Sequence, residues 1–237
     1  RSIVRDIGLI RLVGEKRDVL AVSSDSGCLS IIDFQHETIE AMLVVTSPYG
    51  KTGCRRSTPG QYVATDPKGR AVCVSAIEKR KLVYVINHHN NTSDDSNSSS
   101  SGKKAGTTAA ANIALASPLE AHRTRTLCIA TVGIDNGYDN PMFACIEIQY
   151  PDDYELEAVA AAAANSSSKK PPPPPQKQLA YYELDLGLNH VSRKWAITIP
   201  ESSYSLYAVP GYADGGPSGV LVGCENEPVS YTHLTLP

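Results

Sequence analysis

Short apolar runs alternate with turn-forming clusters along most of this chain. Asp18–Ser23, Ser24-Asp25-Ser26-Gly27 and Cys28–Phe34 read as strand, tight turn, strand, with Gly27 supplying the left-handed backbone such a hairpin needs. The scheme returns at Gln61–Thr65, Asp66-Pro67-Lys68-Gly69 and Arg70–Ile77, where Pro67 presets φ and Gly69 takes the positive-φ position. Further strands are predicted at Lys81–Asn87, Thr126–Val132, Pro141–Ile148, Leu179–Leu186, His190–Ile197 and Ser218–Cys224. In Leu179–Leu186, Glu183 and Asp185 alternate with Leu184 and Leu186, the period of a half-buried strand. No organised stretch holds a helical apolar period over three turns. Many short strands spaced by turns indicate an antiparallel sandwich or a propeller.

Two segments break the pattern. Residues 88–116 carry an Asn/Ser/Asp-rich tract, Lys103-Lys104 and an Ala/Thr tract, which cannot bury enough apolar surface to offset the ~1–2 kcal/mol of backbone entropy per ordered residue. Residues 155–178 run from an Ala-rich piece through Ser166-Ser167-Ser168 to Lys169-Lys170 and Pro171–Pro175, an expected polyproline II spacer. Both are expected to be disordered loop insertions in a domain covering residues 1–227. The last ten residues, 228–237, read as the translation of a common sequencing adapter, with a genuine Tyr/Thr-rich strand as the alternative. The chain opens without Met or a signal-peptide pattern, and is expected to be open at both ends.

Composition narrows the chemistry. The 237 residues carry a formal net charge of -3, which argues against a sequence-independent grip on nucleic acid. No run of about 18 apolar residues suggests a transmembrane helix. The cysteines Cys28, Cys54, Cys73, Cys128, Cys145 and Cys224 form no Cys-x-x-Cys pair and lie in or beside apolar stretches, so buried, reduced thiols are expected rather than a metal centre. Gly50-Lys51-Thr52-Gly53 lacks the upstream glycine of a phosphate loop. His122 and His190 are the histidines with a structured setting, and a capping or buried imidazole is the expected role. No catalytic residue, cofactor site or metal site is expected. The local concentration of positive charge is Lys51, Arg55 and Arg56, suited to acidic partner side chains or carbonyls of a neighbouring element.

Five motifs carry a resemblance: Gly53-Cys54-Arg55-Arg56, Asp66-Pro67-Lys68-Gly69-Arg70-Ala71, Ser117–His122, Asn140–Cys145 and Tyr182–His190. Together they resemble the large β-propeller scaffold family of splicing factor 3B subunit 3, over roughly Ile10 to Asn226. The resemblance implies an all-β fold, a partial β-propeller of antiparallel four-stranded blades. It implies a non-catalytic nuclear scaffold for branch-site recognition in pre-mRNA splicing. Its partners would be the HEAT-repeat splicing factor 3B subunit and small subunits of the same complex, with indirect association with small nuclear RNA and pre-mRNA and no membrane. Partner-facing segments would be Gly50 to Gln61, Ser117 to Cys128 and Glu183 to Lys194, with Lys51, Arg55, Arg56, Glu120, His122, Asn189 and Arg193 as contact residues. The alternative is a paralogous propeller scaffold of a cullin ubiquitin ligase in DNA repair, or of the mRNA cleavage and polyadenylation factor.

Overall fold

The computed structural model describes residues 2–13, 17–34, 39–49, 62–76, 80–88, 113–121, 123–134, 139–151, 154, 157, 161, 175–210, 219–225 and 228–232. These form four antiparallel sheets. Blade 1 is β1 (Val4–Arg11), β2 (Asp18–Ser24), β3 (Cys28–Phe34) and β4 (Ala41–Pro48), paired in that order. Blade 2 is β5 (Tyr62–Thr65), β6 (Ala71–Ala76), β7 (Arg80–His88) and an outer strand in two pieces, β8 (Ile113–Leu115) and β9 (Leu119–Glu120). Both pieces pair with β7, β8 opposite Ile86–His88 and β9 opposite Leu82–Val83. The break falls at Ala116-Ser117-Pro118, where proline has no N–H to give the ladder. Blade 3 is β10 (Thr126–Ile134), β11 (Met142–Gln149), β12 (Lys177–Asp185) and β13 (His190–Thr198). Blade 4 is β14 (Ser205–Val209), β15 (Gly219–Gly223) and β16 (Pro228–Thr232).

The first strands of the four sheets, β1, β5, β10 and β14, lie side by side in that order, so the sheets radiate from a common axis as propeller blades. The expected fold class is the observed one. Close approach at the axis depends on glycine. A Cβ on Gly133 of β10 would sit inside the contact radius of the Thr65 carbonyl oxygen of β5. Gly69, at φ +70°, closes the β5–β6 turn against the Arg11 backbone of blade 1.

Each seam between blades has its own core. Ile10, Leu29 and Ile31 of blade 1 meet Val72, Val74 and Tyr84 of blade 2. Blade 3 meets blade 4 through Ile146, Leu179, Leu206, Val220 and Val222. Inner strands are covered on both faces, so β11 reads Met142-Phe143-Ala144-Cys145-Ile146-Glu147 with every one of these residues buried. That explains its continuous apolar run, in contrast to the alternation of a half-buried strand.

Several boundaries differ from expectation. The first low-complexity segment ends sooner than residue 116, because Ile113 is buried as β8 joins β7. Lys177 and Gln178 begin β12. Leu186 lies in the β12–β13 turn and is 39% exposed, while Leu184 is fully buried. Strands β1, β4, β8, β9 and β14 were not predicted. Pro228–Thr232 forms β16, with Val229 and Tyr231 packed on the blade 3–4 seam.

Candidate functional site

The seam between blades 2 and 3 differs from its neighbours. Its apolar part mixes small and aromatic side chains, among them Ala64, Ala71, Ala121, Ala180, Phe143 and Tyr182, with Cys73, Cys145 and the aliphatic Val83, Leu184 and Val191. Into it project four polar groups from four strands. Lys81 of β7 forms an ion pair with Glu147 of β11, and these side chains are 6% and 1% exposed. The Tyr182 hydroxyl of β12 donates to Glu147 Oε1 at 2.7 Å. Arg193 of β13 donates through Nη2 to Glu147 Oε2 at 3.3 Å and to Gln178 Oε1 at 3.0 Å. Lys81 Nζ also lies 3.9 Å from the centre of the Tyr182 ring, a cation–π contact that a dry setting strengthens.

Strand geometry explains the convergence. Tyr182 and Arg193 are cross-strand partners, as are Glu147 and Gln178, so blade 3 aims one row of polar side chains at blade 2. Lys81 supplies the charge from across the seam. Burial alone pulls the Lys81 pKa down; the negative charge of Cys145 and Cys128 when ionised and of the Glu147 carboxylate outweighs it, holding the ammonium well above its usual range. Burial likewise pushes the Tyr182 hydroxyl well above the ordinary tyrosine value, so it stays a donor. Both carboxylate oxygens of Glu147 are therefore engaged by donors. Arg193 Nε is itself buried without a partner, so it is the carboxylate that is fully engaged. A buried carboxylate held in this way stabilises only while its donors remain: removing one member strands another charge.

A second link between these blades lies at the rim. Asp66, 2% exposed, accepts from Arg70 Nε at 2.8 Å, from Nη2 at 3.0 Å and from the Arg70 backbone N–H at 3.0 Å. Arg70 Nη1 donates onward to the Asp139 carbonyl of blade 3. The Asp-Pro-Lys-Gly-Arg motif thus closes its own turn and reaches the next blade. Beside it, Asn140 Nδ2 donates to Glu183 at 2.7 Å, and the Leu186 N–H donates to Asn140 Oδ1 at 3.3 Å.

Residues 2–234 match the family described as RSE1/DDB1/CPSF1 first beta-propeller. The chain belongs to that family. Among curated proteins it is 43% identical over 224 residues to spliceosome-associated protein 130 A of Arabidopsis thaliana, covering 94% of this chain and 16% of that protein. It is 40% identical over 234 residues to pre-mRNA-splicing factor prp12 of Schizosaccharomyces pombe, covering 98% and 17%. It is 41% identical over 228 residues to splicing factor 3B subunit 3 of Danio rerio, covering 95% and 16%. The chain therefore spans about one sixth of the length of these relatives.

On this first-propeller framework the expected contact residues separate. Lys51, Arg55, Arg56 and His122 lie outside the described residues. Glu120 ends β9, exposed, on a strand that runs beside β13. Asn189 sits at the β12–β13 turn, exposed, with φ +50°. The Arg193 side chain is 19% exposed, and its guanidinium turns into the seam toward Glu147. Lys81 and Glu147 were not singled out from the sequence. Only Glu147 left a clear signal, a lone charge inside the apolar strand Phe-Ala-Cys-Ile-Glu147-Ile; Lys81 follows Arg80 at the start of β7 and reads as the end of a charged link. Among the described residues no group of three His, Cys, Asp or Glu has the spacing to hold a metal.

Proposed function

We propose that this chain is part of a non-catalytic scaffold of the splicing factor 3B subunit 3 type, acting in the nucleus in branch-site recognition during pre-mRNA splicing. The observation that carries the reading is identity of 40–43% across nearly the whole chain to plant, yeast and fish proteins whose names all state a splicing role. The fold suits it. Packed seams and two polar links between blades 2 and 3 hold those blades in fixed relative positions, and a pre-organised framework loses less entropy on binding. Partners would be the HEAT-repeat subunit and small subunits of the same complex, with RNA held indirectly. Gly50 to Gln61, Ser117 to Cys128 and Glu183 to Lys194 would face them.

Affinity purification of the tagged full-length protein from its own cells tests this, read by mass spectrometry. Co-purification of a HEAT-repeat splicing subunit with branch-site ribonucleoprotein components is expected. A cullin ligase set or a cleavage and polyadenylation set would keep the fold and overturn the function. Arg55→Ala with Arg56→Ala is expected to reduce the yield of partner subunits without unfolding the propeller. Wild-type yield from that double variant would remove those arginines from the interface.

A further inference from the structure

The hairpin between β12 and β13 carries apolar side chains where a turn needs none. Leu186 and Leu188 flank Gly187 at its tip, and Leu188 is 78% exposed. A scattered surface leucine needs no explanation, but these two share a tip that the fold holds in one shape. The Leu188 N–H donates to Asp185 Oδ1 at 2.9 Å, closing the turn on its own side chain. The Leu186 N–H bonds Asn140, which in turn bonds Glu183, so the tip is tied to the start of β11. Asn189 completes the turn in the left-handed conformation, which asparagine tolerates better than most residues. Charge marks the same place. Asp185 and the exposed Asp139 have no cation paired with them among the described residues, while Arg70 and Lys194 are engaged by Asp66 and Glu183. Position matters too. The tip stands at the end of the blades that holds the Asp66–Gly69 turn, since Gly133 at the end of β10 abuts the Thr65 carbonyl. Glu120 belongs to the other end: it pairs with Leu82 near the start of β7, whereas Ile86, further along that strand, donates to the Arg70 carbonyl.

We propose that the β12–β13 tip is a protein-docking knob, with Leu188 as its anchor and Leu186 beside it, seated in an apolar pocket rimmed by lysine or arginine on a partner subunit. The leucines supply the apolar area, and the turn is fixed before binding, so little ordering entropy is lost when they are buried. The carboxylates of Asp139 and Asp185 complement a basic rim and repel a phosphate backbone, which makes protein rather than nucleic acid the occupant. A partner seated on the tip does not cover the end of the blades that carries Glu120. The segments expected to face partners therefore divide between two ends of the blades, and the tip takes a subunit that the Glu120 end does not hold. The inference rests on the scaffold reading only in drawing that subunit from the same complex.

The test puts the photo-crosslinker p-benzoylphenylalanine in place of Leu188 in the tagged full-length protein, illuminates its own cells, and sequences the joined peptides by mass spectrometry. The expected result is a peptide of a co-purifying subunit, apolar at the crosslink with lysine or arginine beside it. Leu188→Asp is expected to lower recovery of that same subunit about tenfold, the loss typical of a truncated anchor. Glu120→Arg, at the other end, is expected to leave it unchanged. A crosslink to RNA, to another part of the same polypeptide or to nothing would overturn the proposal. So would wild-type recovery from Leu188→Asp, or an equal loss from Glu120→Arg. The crosslink decides the matter even where Leu188→Asp loses structure. A cullin ligase or polyadenylation set on the wild-type protein would remove the splicing reading and leave the tip result standing, so the two failures are distinct.

Discussion

The seam between blades 3 and 4 and the seam between blades 2 and 3 solve the same packing problem differently. The first is filled by Ile146, Leu179, Leu206, Val220 and Val222, so its stability comes from apolar area and close fit. The second adds alanines and cysteines to its aliphatic and aromatic residues and also takes in Lys81, Glu147, Tyr182 and Arg193, which bond one another. An apolar seam tolerates the loss of one part in proportion to the cavity made. A charged seam is all-or-none, because each removal leaves an unpaired charge in a dry place. What differs is tolerance to error, and mutation reads that out.

The largest effect is expected from Glu147→Ala, which strands Lys81 and Arg193 together. A loss of about 3–5 kcal/mol in local stability is expected, measured by hydrogen exchange at β7 and β11 amides in the full-length protein. Next comes Leu179→Ala in the apolar seam, at ~3 kcal/mol set by the cavity left, with protection lost at β12 and β15. A smaller loss, about 1.5–3 kcal/mol, is expected for Tyr182→Phe, which keeps the ring over Lys81 but removes a donor from a buried carboxylate.

Alkaline titration sharpens the contrast further. Burial raises Tyr181, on the apolar seam, to about 12. The folded state therefore holds that proton more tightly than the unfolded chain does. This contribution is intact below about 10 and is lost as the pH rises through about 12, on the order of 2 kcal/mol. Urea midpoints at pH 8 and pH 11 should show the decline, and a flat profile would mean the tyrosine is not buried. The smallest effect is reserved for Arg11→Ala: Arg11 and Asp18 pair at 2.7 Å on the exposed face of blade 1, and no measurable change is expected.

Much of the fold was legible because turn chemistry is local. Gly27 and Gly69 take the positive φ that their hairpins required, and the strands on either side follow. The Asp-Pro-Lys-Gly-Arg turn was readable as a turn; its reach to the Asp139 carbonyl was not, because that neighbour comes from a distant part of the chain. Strands β1 and β4 escaped notice since blade 1 exposes one face, leaving Ile7, Leu9 and Leu43 out of any clean alternation with polar residues. β8 was hidden at the end of a low-complexity tract, and β9 by its two-residue length. The charged seam is a non-local object: Lys81 continues a charged link at the start of β7, Glu147 is one charge in an apolar strand, and only the stacking of blades pairs them. The motif Tyr182–His190 was singled out for resemblance, yet its first residue proves to be a member of that cluster.

The central claim is that the charges of the blade 2–3 seam act as one closed unit. A double-mutant cycle on Lys81→Met and Glu147→Leu, read by hydrogen exchange at β7 and β11 in the full-length protein, tests it most directly. Each single variant should be strongly destabilising, and the pair should lose less than their sum by about 1–3 kcal/mol, since two apolar side chains leave no charge between these positions unpaired. Losses that simply add would contradict the account, making Lys81 and Glu147 independent occupants of an ordinary seam.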